Sequence, residues 1–157
     1  MTQTSPPRIS VIDGTKLRHR LSDNLLNPHL SMVRIVAYRF EDFDLNKGPI
    51  QRGQTESHPS HFGPSTICNK LSTLAESGVQ VFFTTRDPFT EGEQMSTKLS
   101  RRWNSALERM DKAGVKITIH PNLHAKVYMF DHSNGIKFYA VGSSNLTSAG
   151  LKHNLEL

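Results

Sequence analysis

Helix-forming and strand-forming segments alternate along this chain, and that alternation restricts its fold more than any other feature of the sequence. Three segments in which apolar residues recur at helical spacing are each followed by a short β-rich segment, and two further β-rich segments come after them. The pair Asn134-Gly135 between those last two segments predicts a tight hairpin turn. Because alternating helices and strands pack as layers around a shared sheet, the order predicts one α/β sandwich domain over residues 1–157, with a mixed β-sheet.

The segment boundaries follow from local signals. Helices are predicted over residues 15–27, 64–77 and 94–113, and strands over 32–38, 79–84, 115–119, 127–130 and 136–141. Asp13 or Thr15 can cap the first helix, and Gly78 and Gly114 end the second and third. Cys68 is the only cysteine of the sequence and is expected to be a buried apolar residue of the second helix.

A segment of about residues 45–64 contains glycines, prolines and histidines but almost no aliphatic residues. It is predicted to be a long loop, either a lid that contacts substrate or a surface insertion. His58 and His61 lie in this loop without carboxylate or cysteine neighbours, and Pro121 separates His120 from His124. Neither pair favours a zinc site, because zinc in proteins needs four well-placed ligands. His19, His132 and His153 are expected at the surface.

Charge and composition restrict the partners and the compartment. The formal net charge of +5 favours a polyanionic partner. Basic residues of the third predicted helix could follow a nucleic-acid backbone or could simply be solvated; they include Lys98, Arg101, Arg102 and Arg109. The sequence shows no apolar run of membrane-spanning length and no signal peptide, and its single cysteine suits a reducing compartment, so a cytoplasmic protein without membrane association is expected.

The residues that could carry out chemistry fall into two short patterns. His124 and Lys126, with Asp131 five positions further on, form the pattern HxKxxxxD, and residues 142–145 form the pattern GSxN. Because His124 and Lys126 lie two residues apart on a predicted strand, their side chains leave the same face. An imidazole can attack phosphorus, and an ammonium group beside it can stabilise the nonbridging oxygens.

The GSxN segment adds hydrogen-bond donors to the same chemistry. Asn145 can donate from its amide and Ser143 from its hydroxyl to the oxygens of a phosphate group. Gly142 allows a close approach of the backbone or an unusual turn. The two patterns together therefore supply the groups that phosphodiester transfer needs, a nucleophile and donors to the nonbridging oxygens.

This combination of motifs resembles the catalytic motif of the phospholipase D superfamily. The resemblance implies an α/β/α sandwich and a phosphodiesterase that needs no metal and no cofactor. It also implies that His124 attacks phosphorus to form a phosphohistidine, while a second histidine protonates the leaving oxygen and then activates water. The resemblance further implies Glu156 as the carboxylate that orients His124, whereas Asp131 is expected to bond the backbone or a basic group.

The motif occurs once in this sequence, although the chemistry implied by the resemblance needs two histidines. The second histidine is therefore expected to be His124 of a symmetry-related chain, because a two-fold interface can place the same residue opposite itself. The pair would titrate as one coupled unit.

The leading hypothesis is an endonuclease that cleaves DNA or RNA, similar to small bacterial nucleases and to metal-independent restriction enzymes with a single motif. The first alternative is a phospholipase or phosphatidyl transferase. The second is a nucleic-acid-binding catalytic-domain fragment of a larger restriction or repair protein. It is motivated by the end of the sequence directly after Glu156 and Leu157, where the family usually continues.

Overall fold

The computed structural model describes residues 10, 12–45, 63–87, 97–147, 151 and 155–156, with the backbone alone for 97–100, 155 and 156. The helices are α1 (Gly14–Leu25), α2 (Ile67–Glu76) and α3 (Thr97–Lys112). The strands are β1 (Ile12–Asp13), β2 (Leu30–Ala37), β3 (Gln80–Thr85), β4 (Lys116–Ile119), β5 (Lys126–His132), β6 (Lys137–Val141) and β7 (Leu155–Glu156). Most of the predicted loop, residues 46–62, lies outside the described residues, as do His58, His61 and His153.

Five strands form one mixed sheet in the order β4-β3-β2-β5-β6. Strands β2, β3 and β4 run parallel, whereas β5 is antiparallel to β2 and β6 is antiparallel to β5. The α/β fold with a mixed sheet that the sequence predicts is therefore confirmed. Because β5 runs against β2, its first residue, Lys126, pairs with the last residue of β2, Ala37.

One face of this sheet carries the core. Ile35, Phe83, Tyr128 and Phe130 on that face are fully buried, in one cluster with apolar residues of α1, α2 and α3. The burial alternates along the strands, so that Arg34 and other residues of the opposite face are exposed or only half-buried. The helices that the structure describes thus pack on one face of the sheet.

Three helix ends follow the local signals, and a fourth does not. Asp13 caps α1, since its Oδ1 accepts a hydrogen bond from the backbone N–H of Lys16 at 2.7 Å. Gly78 and Gly114 end their helices with φ angles of 92° and 94°, a region that glycine enters without a side-chain clash. The prediction that α2 begins at Pro64 was wrong, and the helix begins at Ile67.

Two other predictions about single residues have clear outcomes. Cys68 is fully buried in α2, as expected. His132, in contrast, was predicted at the surface but is only 5% exposed, and its Nε2 lies 2.8 Å from Oδ1 of Asn24 on α1. His132 continues the buried face of β5 that Tyr128 and Phe130 form, so α1 covers it. Among the described helices, none has the length and the apolar character needed to cross a membrane.

Candidate active site

The candidate site lies at one end of the five-stranded sheet. Tyr38 directly follows β2, Arg86 directly follows β3, and Gly142 directly follows β6. His124 precedes β5 by two residues, and β5 begins beside the end of β2. The strand directions therefore bring four separate chain segments to the same edge.

His124 and Lys126 form the centre of this site. Lys126 is buried to 7% exposure, and its Nζ donates a hydrogen bond of 2.9 Å to the carbonyl oxygen of His124. The same Nζ lies 3.4 Å from Nδ1 of the His124 ring, whereas the His124 side chain is exposed. The backbone bond holds the ammonium group beside an imidazole that solvent and substrate can reach. His124 lies just outside β5, although the sequence predicted it on the strand itself.

The contact with Lys126 assigns no proton to either nitrogen of the histidine ring. Nζ of Lys126 lies 3.4 Å from Nδ1, and the nature of this contact depends on the tautomer of the ring. Attack through Nε2 requires a proton on Nδ1 and an acceptor for that proton. Glu156 is the residue predicted to be that acceptor. Its backbone pairs with Ile12 in the two-stranded sheet of β1 and β7, and its side chain lies outside the described atoms, so the role of Glu156 stays a prediction.

Hydrogen bonds connect the GSxN segment to neighbouring parts of the chain. The N–H of Gly142 donates to the carbonyl oxygen of Lys126 at 3.2 Å, and the buried hydroxyl of Tyr128 donates to the carbonyl oxygen of Ser144 at 2.7 Å. Oδ1 of Asn145 accepts a hydrogen bond of 3.1 Å from the backbone N–H of Arg39. With its oxygen engaged in this way, Asn145 has its amide nitrogen as the group that can donate to a phosphate oxygen.

The two serines of this segment differ in burial. Ser143 is exposed, whereas Ser144 is fully buried. Ser143 is therefore the serine that a substrate at this edge of the sheet can reach.

His124 and several basic side chains lie close to the ring of Tyr38. The ring centroids of Tyr38 and His124 lie 4.8 Å apart, and Nζ of Lys126 lies 5.1 Å from the Tyr38 centroid. Cζ of Arg86 lies 5.1 Å and Cζ of Arg39 5.7 Å from the same centroid. In addition, Nη1 of Arg86 donates a hydrogen bond of 2.6 Å to the Tyr38 hydroxyl. These distances describe a basic cluster around one aromatic ring.

The sequence interpretation gave Tyr38, Arg39 and Arg86 no role in a site. A signal was available, because Tyr38 and Arg86 are the first residues after neighbouring parallel strands. Ligands of open α/β sheets bind outside the carboxyl ends of the strands, which is the edge where these two residues lie.

Asp131 is not brought together with His124. It lies five residues beyond Lys126 on β5, about 16 Å along an extended strand. Its Oδ1 accepts a hydrogen bond of 2.9 Å from the Tyr139 hydroxyl, and its Oδ2 lies 3.9 Å from Nζ of Lys137. In this place Asp131 joins β5 to β6 by side-chain contacts and does not line the site.

The basic residues of α3 belong to the helices that pack on one face of the sheet. Arg101 and Arg109 are exposed and Arg102 is half-buried, while the side chain of Lys98 is outside the described atoms. Nη2 of Arg109 lies 3.4 Å from Oδ1 of Asn69 on α2. A role of these residues in binding nucleic acid therefore stays a prediction.

The described residues contain no group of three or more histidine, cysteine, aspartate or glutamate side chains that could hold a metal ion. His120 is one of the histidines considered for a metal. It is exposed, and its Nδ1 accepts a hydrogen bond of 3.3 Å from the backbone N–H of Asn122.

Comparisons with known proteins concern the family and the fold of the chain. Residues 58–157 match the family model described as "Cardiolipin synthase, PLD-like domain". A solved structure of polyphosphate kinase from Porphyromonas gingivalis is similar in fold, with a TM-score of 0.53 and 15% sequence identity. The alignment covers 88% of this chain but 20% of the kinase chain, so this chain spans about a fifth of that protein. No curated protein sequence matches the chain.

Proposed function

Because this chain belongs to the phospholipase D superfamily, we propose that it is a metal-independent phosphodiesterase that cleaves nucleic acid, with DNA as the first candidate substrate. Members of this superfamily are phosphoryl transferases and hydrolases. The reaction proceeds through a phosphohistidine on His124, at a site that two chains of a homodimer complete.

The observation that carries the proposal is the pairing of an exposed His124 with a buried Lys126. The ammonium group is 3.4 Å from the imidazole ring and is held there by the backbone of His124 itself. A phosphate bound at the imidazole would meet this positive charge without a further rearrangement. Charge placed in advance where the transition state develops negative charge is a large source of rate enhancement.

Each of the two steps forms one bond to phosphorus and breaks another. Nε2 of His124 attacks phosphorus, a P–N bond forms, and the bond from phosphorus to the leaving oxygen breaks. Lys126 and the amide of Asn145 stabilise the nonbridging oxygens while this happens. His124 of the second chain gives its proton to the leaving oxygen, then takes a proton from water, whose oxygen attacks phosphorus and breaks the P–N bond.

Two features favour nucleic acid as the substrate. The net charge of +5 favours a polyanion over a neutral partner. At the site, Arg39, Arg86 and Lys126 surround the Tyr38 ring, and such a cluster suits a substrate with more than one phosphate.

A phospholipid is the second candidate substrate, and one observation favours it. The family model that matches the chain carries the description of a cardiolipin synthase, a name that concerns lipid phosphodiesters. The chemistry at phosphorus would be the same, and only the groups on either side of the phosphate would differ.

The test is cleavage of labelled single-stranded and double-stranded DNA in excess EDTA. We expect cleavage by the unchanged protein and none by His124→Ala. The matched control is His120→Ala, which removes another exposed histidine four positions earlier and should leave cleavage intact. Loss of cleavage in EDTA, or equal activity of His124→Ala, would contradict the proposal.

Vesicles that contain anionic phospholipid form a parallel arm of the same experiment. Release of a headgroup by the unchanged protein, without cleavage of DNA, would assign the site to the lipid candidate. DNA binding without any cleavage would favour the binding-fragment alternative.

The shared site is tested by mixing subunits. Unchanged and His124→Ala chains are unfolded together, refolded in varied ratios, and assayed at constant total concentration. If each site needs both histidines, activity follows the square of the unchanged fraction, about one quarter at equal amounts. Activity proportional to the unchanged fraction would mean that each chain works alone.

A further inference from the structure

Two aromatic rings, one on the sheet and one directly after β2, each lie close to cationic side chains, and the two rings differ in their hydrogen bonds. At Phe82, on the open face of the sheet, Cζ of Arg34 lies 4.8 Å from the ring centroid. At Tyr38, beside the candidate site, Cζ of Arg86 lies 5.1 Å from the centroid. Only the second ring has a hydroxyl, and that hydroxyl accepts a hydrogen bond of 2.6 Å from Nη1 of Arg86.

We propose that Arg86 is a phosphate-binding residue of the active site and that Tyr38 is a positioning residue that holds both Arg86 and His124. The Tyr38 ring packs beside the imidazole in a tilted arrangement, and its hydroxyl accepts a hydrogen bond from the guanidinium group. The inference rests on the proposed function in one respect, since it takes the substrate of His124 to be a phosphodiester.

The distances allow Arg86 to reach the phosphate that His124 attacks. The His124 ring centroid lies 4.8 Å and Cζ of Arg86 lies 5.1 Å from the same Tyr38 centroid, so the two can be at most about 10 Å apart. The phosphorus of a bound substrate would stand about 3–3.5 Å from the attacking nitrogen. The proposal places the guanidinium group of Arg86 on the other side of that phosphate, where it donates to the nonbridging oxygens.

The chemistry of arginine fits this place. The guanidinium group has five N–H donors, so one arginine can bond the Tyr38 hydroxyl and also donate to a phosphate. Its planar fork matches two oxygens of a phosphate group, which a lysine ammonium does not. Lys126 would stabilise the phosphate from one side as a point charge, and Arg86 would orient it by paired hydrogen bonds.

The two functions of Tyr38 can be separated by substitution. Tyr38→Phe keeps the ring beside His124 and removes the hydroxyl that holds Arg86. Tyr38→Leu removes the ring as well. A residue that only filled space would affect stability in both variants, without separating substrate binding from turnover.

The first arm of the experiment measures phosphate binding without catalysis. The full chain, labelled with ¹⁵N at histidine, is titrated with inorganic phosphate, and the ring signals of His124 are followed by NMR. They are assigned by their absence in His124→Ala. We expect Arg86→Gln to weaken phosphate binding about tenfold or more, as for the loss of a charged hydrogen bond. The matched control is Arg34→Gln, which removes an arginine from the other aromatic ring and should change the affinity less than about twofold.

Tyr38→Phe should weaken phosphate binding in the same direction, and the double variant Tyr38→Phe, Arg86→Gln should bind no more weakly than Arg86→Gln alone. Such non-additivity is expected when one residue acts through the other. Additive losses would mean that the hydroxyl of Tyr38 does not act through Arg86.

The second arm measures turnover of bis(p-nitrophenyl) phosphate. We expect Arg86→Gln and Tyr38→Phe to raise KM more than they lower kcat, and Tyr38→Leu to lower kcat as well. If the protein hydrolyses neither this diester nor DNA, the proposed function fails while the phosphate titration still decides the inference. Phosphate affinity of Arg86→Gln equal to that of the unchanged protein, an equal loss in Arg34→Gln, or no response of the His124 signals to phosphate would overturn it.

Discussion

The hydroxyl of Tyr128 connects the sheet to the GSxN segment, and its removal should affect both stability and activity. Tyr128 is fully buried, and its hydroxyl donates to the carbonyl oxygen of Ser144 at 2.7 Å. Tyr128→Phe keeps the ring and leaves this carbonyl without that donor. A buried acceptor left unsatisfied costs about 1–3 kcal/mol. We therefore expect the free energy of unfolding to fall by about 2 kcal/mol.

For a chain of this length, such a loss lowers Tm by about 4–8 °C. The measurement is thermal unfolding followed by circular dichroism, with urea unfolding as the second measure of free energy. The control is Tyr139→Phe, which also removes a tyrosine hydroxyl bonded at 2.9 Å, here to Asp131, but on a side chain that is half exposed. It should change stability by less than about 0.5 kcal/mol.

Activity supplies the second result for the same variant. Because Ser144 precedes Asn145, release of the Ser144 carbonyl should loosen the amide that stabilises the phosphate, and kcat should fall more than in Tyr139→Phe. Equal stability of the two phenylalanine variants would refute the reasoning, since it would mean that the buried bond to the GSxN segment stabilises nothing.

Three further predictions concern the scaffold. Burial raises the pKa of the Cys68 thiol well above its ordinary value, with the Asp42 carboxylate acting in the same direction. The folded protein therefore keeps this proton, whereas the unfolded chain loses it above about pH 8.5. The free energy of unfolding should fall as pH rises beyond that value, and it should fall less steeply in Cys68→Ala. Gly114→Ala should lower the free energy of unfolding by about 1–2 kcal/mol in urea titrations, because φ is 94° and no atom crowds the position; a neutral result would contradict this. Leu71→Ala, at a fully buried position, should lower the free energy of unfolding by about 2–5 kcal/mol. Leu26→Ala, at an exposed position, should change it by less than about 0.5 kcal/mol. Similar losses for the two variants would contradict the assignment of the core.

The sheet could be predicted from the sequence because its signals are local. Apolar β-rich segments, helical spacing between them and the Asn134-Gly135 turn are all properties of neighbouring residues. The turn is present, with Gly135 at a φ of 86°. The start of α2 could not be predicted as well, since Pro64 suits the first turn of a helix, but Thr66 adopts an extended conformation and makes a bridge with Asp44 from outside the helix.

His132 shows how a boundary error of two residues changes an interpretation. The sequence predicted that the strand ends at Phe130, which placed His132 in the turn and at the surface. The strand continues to His132, and the alternation of side chains then turns this histidine towards α1.

Some residues of the candidate site could likewise be predicted from local patterns, and others could not. His124, Lys126 and residues 142–145 could be found because they lie in two short motifs. The bond between Arg86 and Tyr38 joins residues 48 positions apart, and it depends on the fact that β2 and β3 are neighbours in the sheet. No local pattern contains that information, which enters only with the strand order.

The most direct test of the account is to trap the covalent intermediate. Thymidine 5′-(p-nitrophenyl phosphate) has a good leaving group, so formation of the phosphohistidine should outpace its hydrolysis. The protein is quenched in alkaline solution during turnover in EDTA and digested, and the peptides are identified by mass spectrometry. We predict a thymidine phosphate adduct on His124 that is absent from His124→Ala. Release of p-nitrophenolate by the unchanged protein with no adduct on His124 would contradict the central claim.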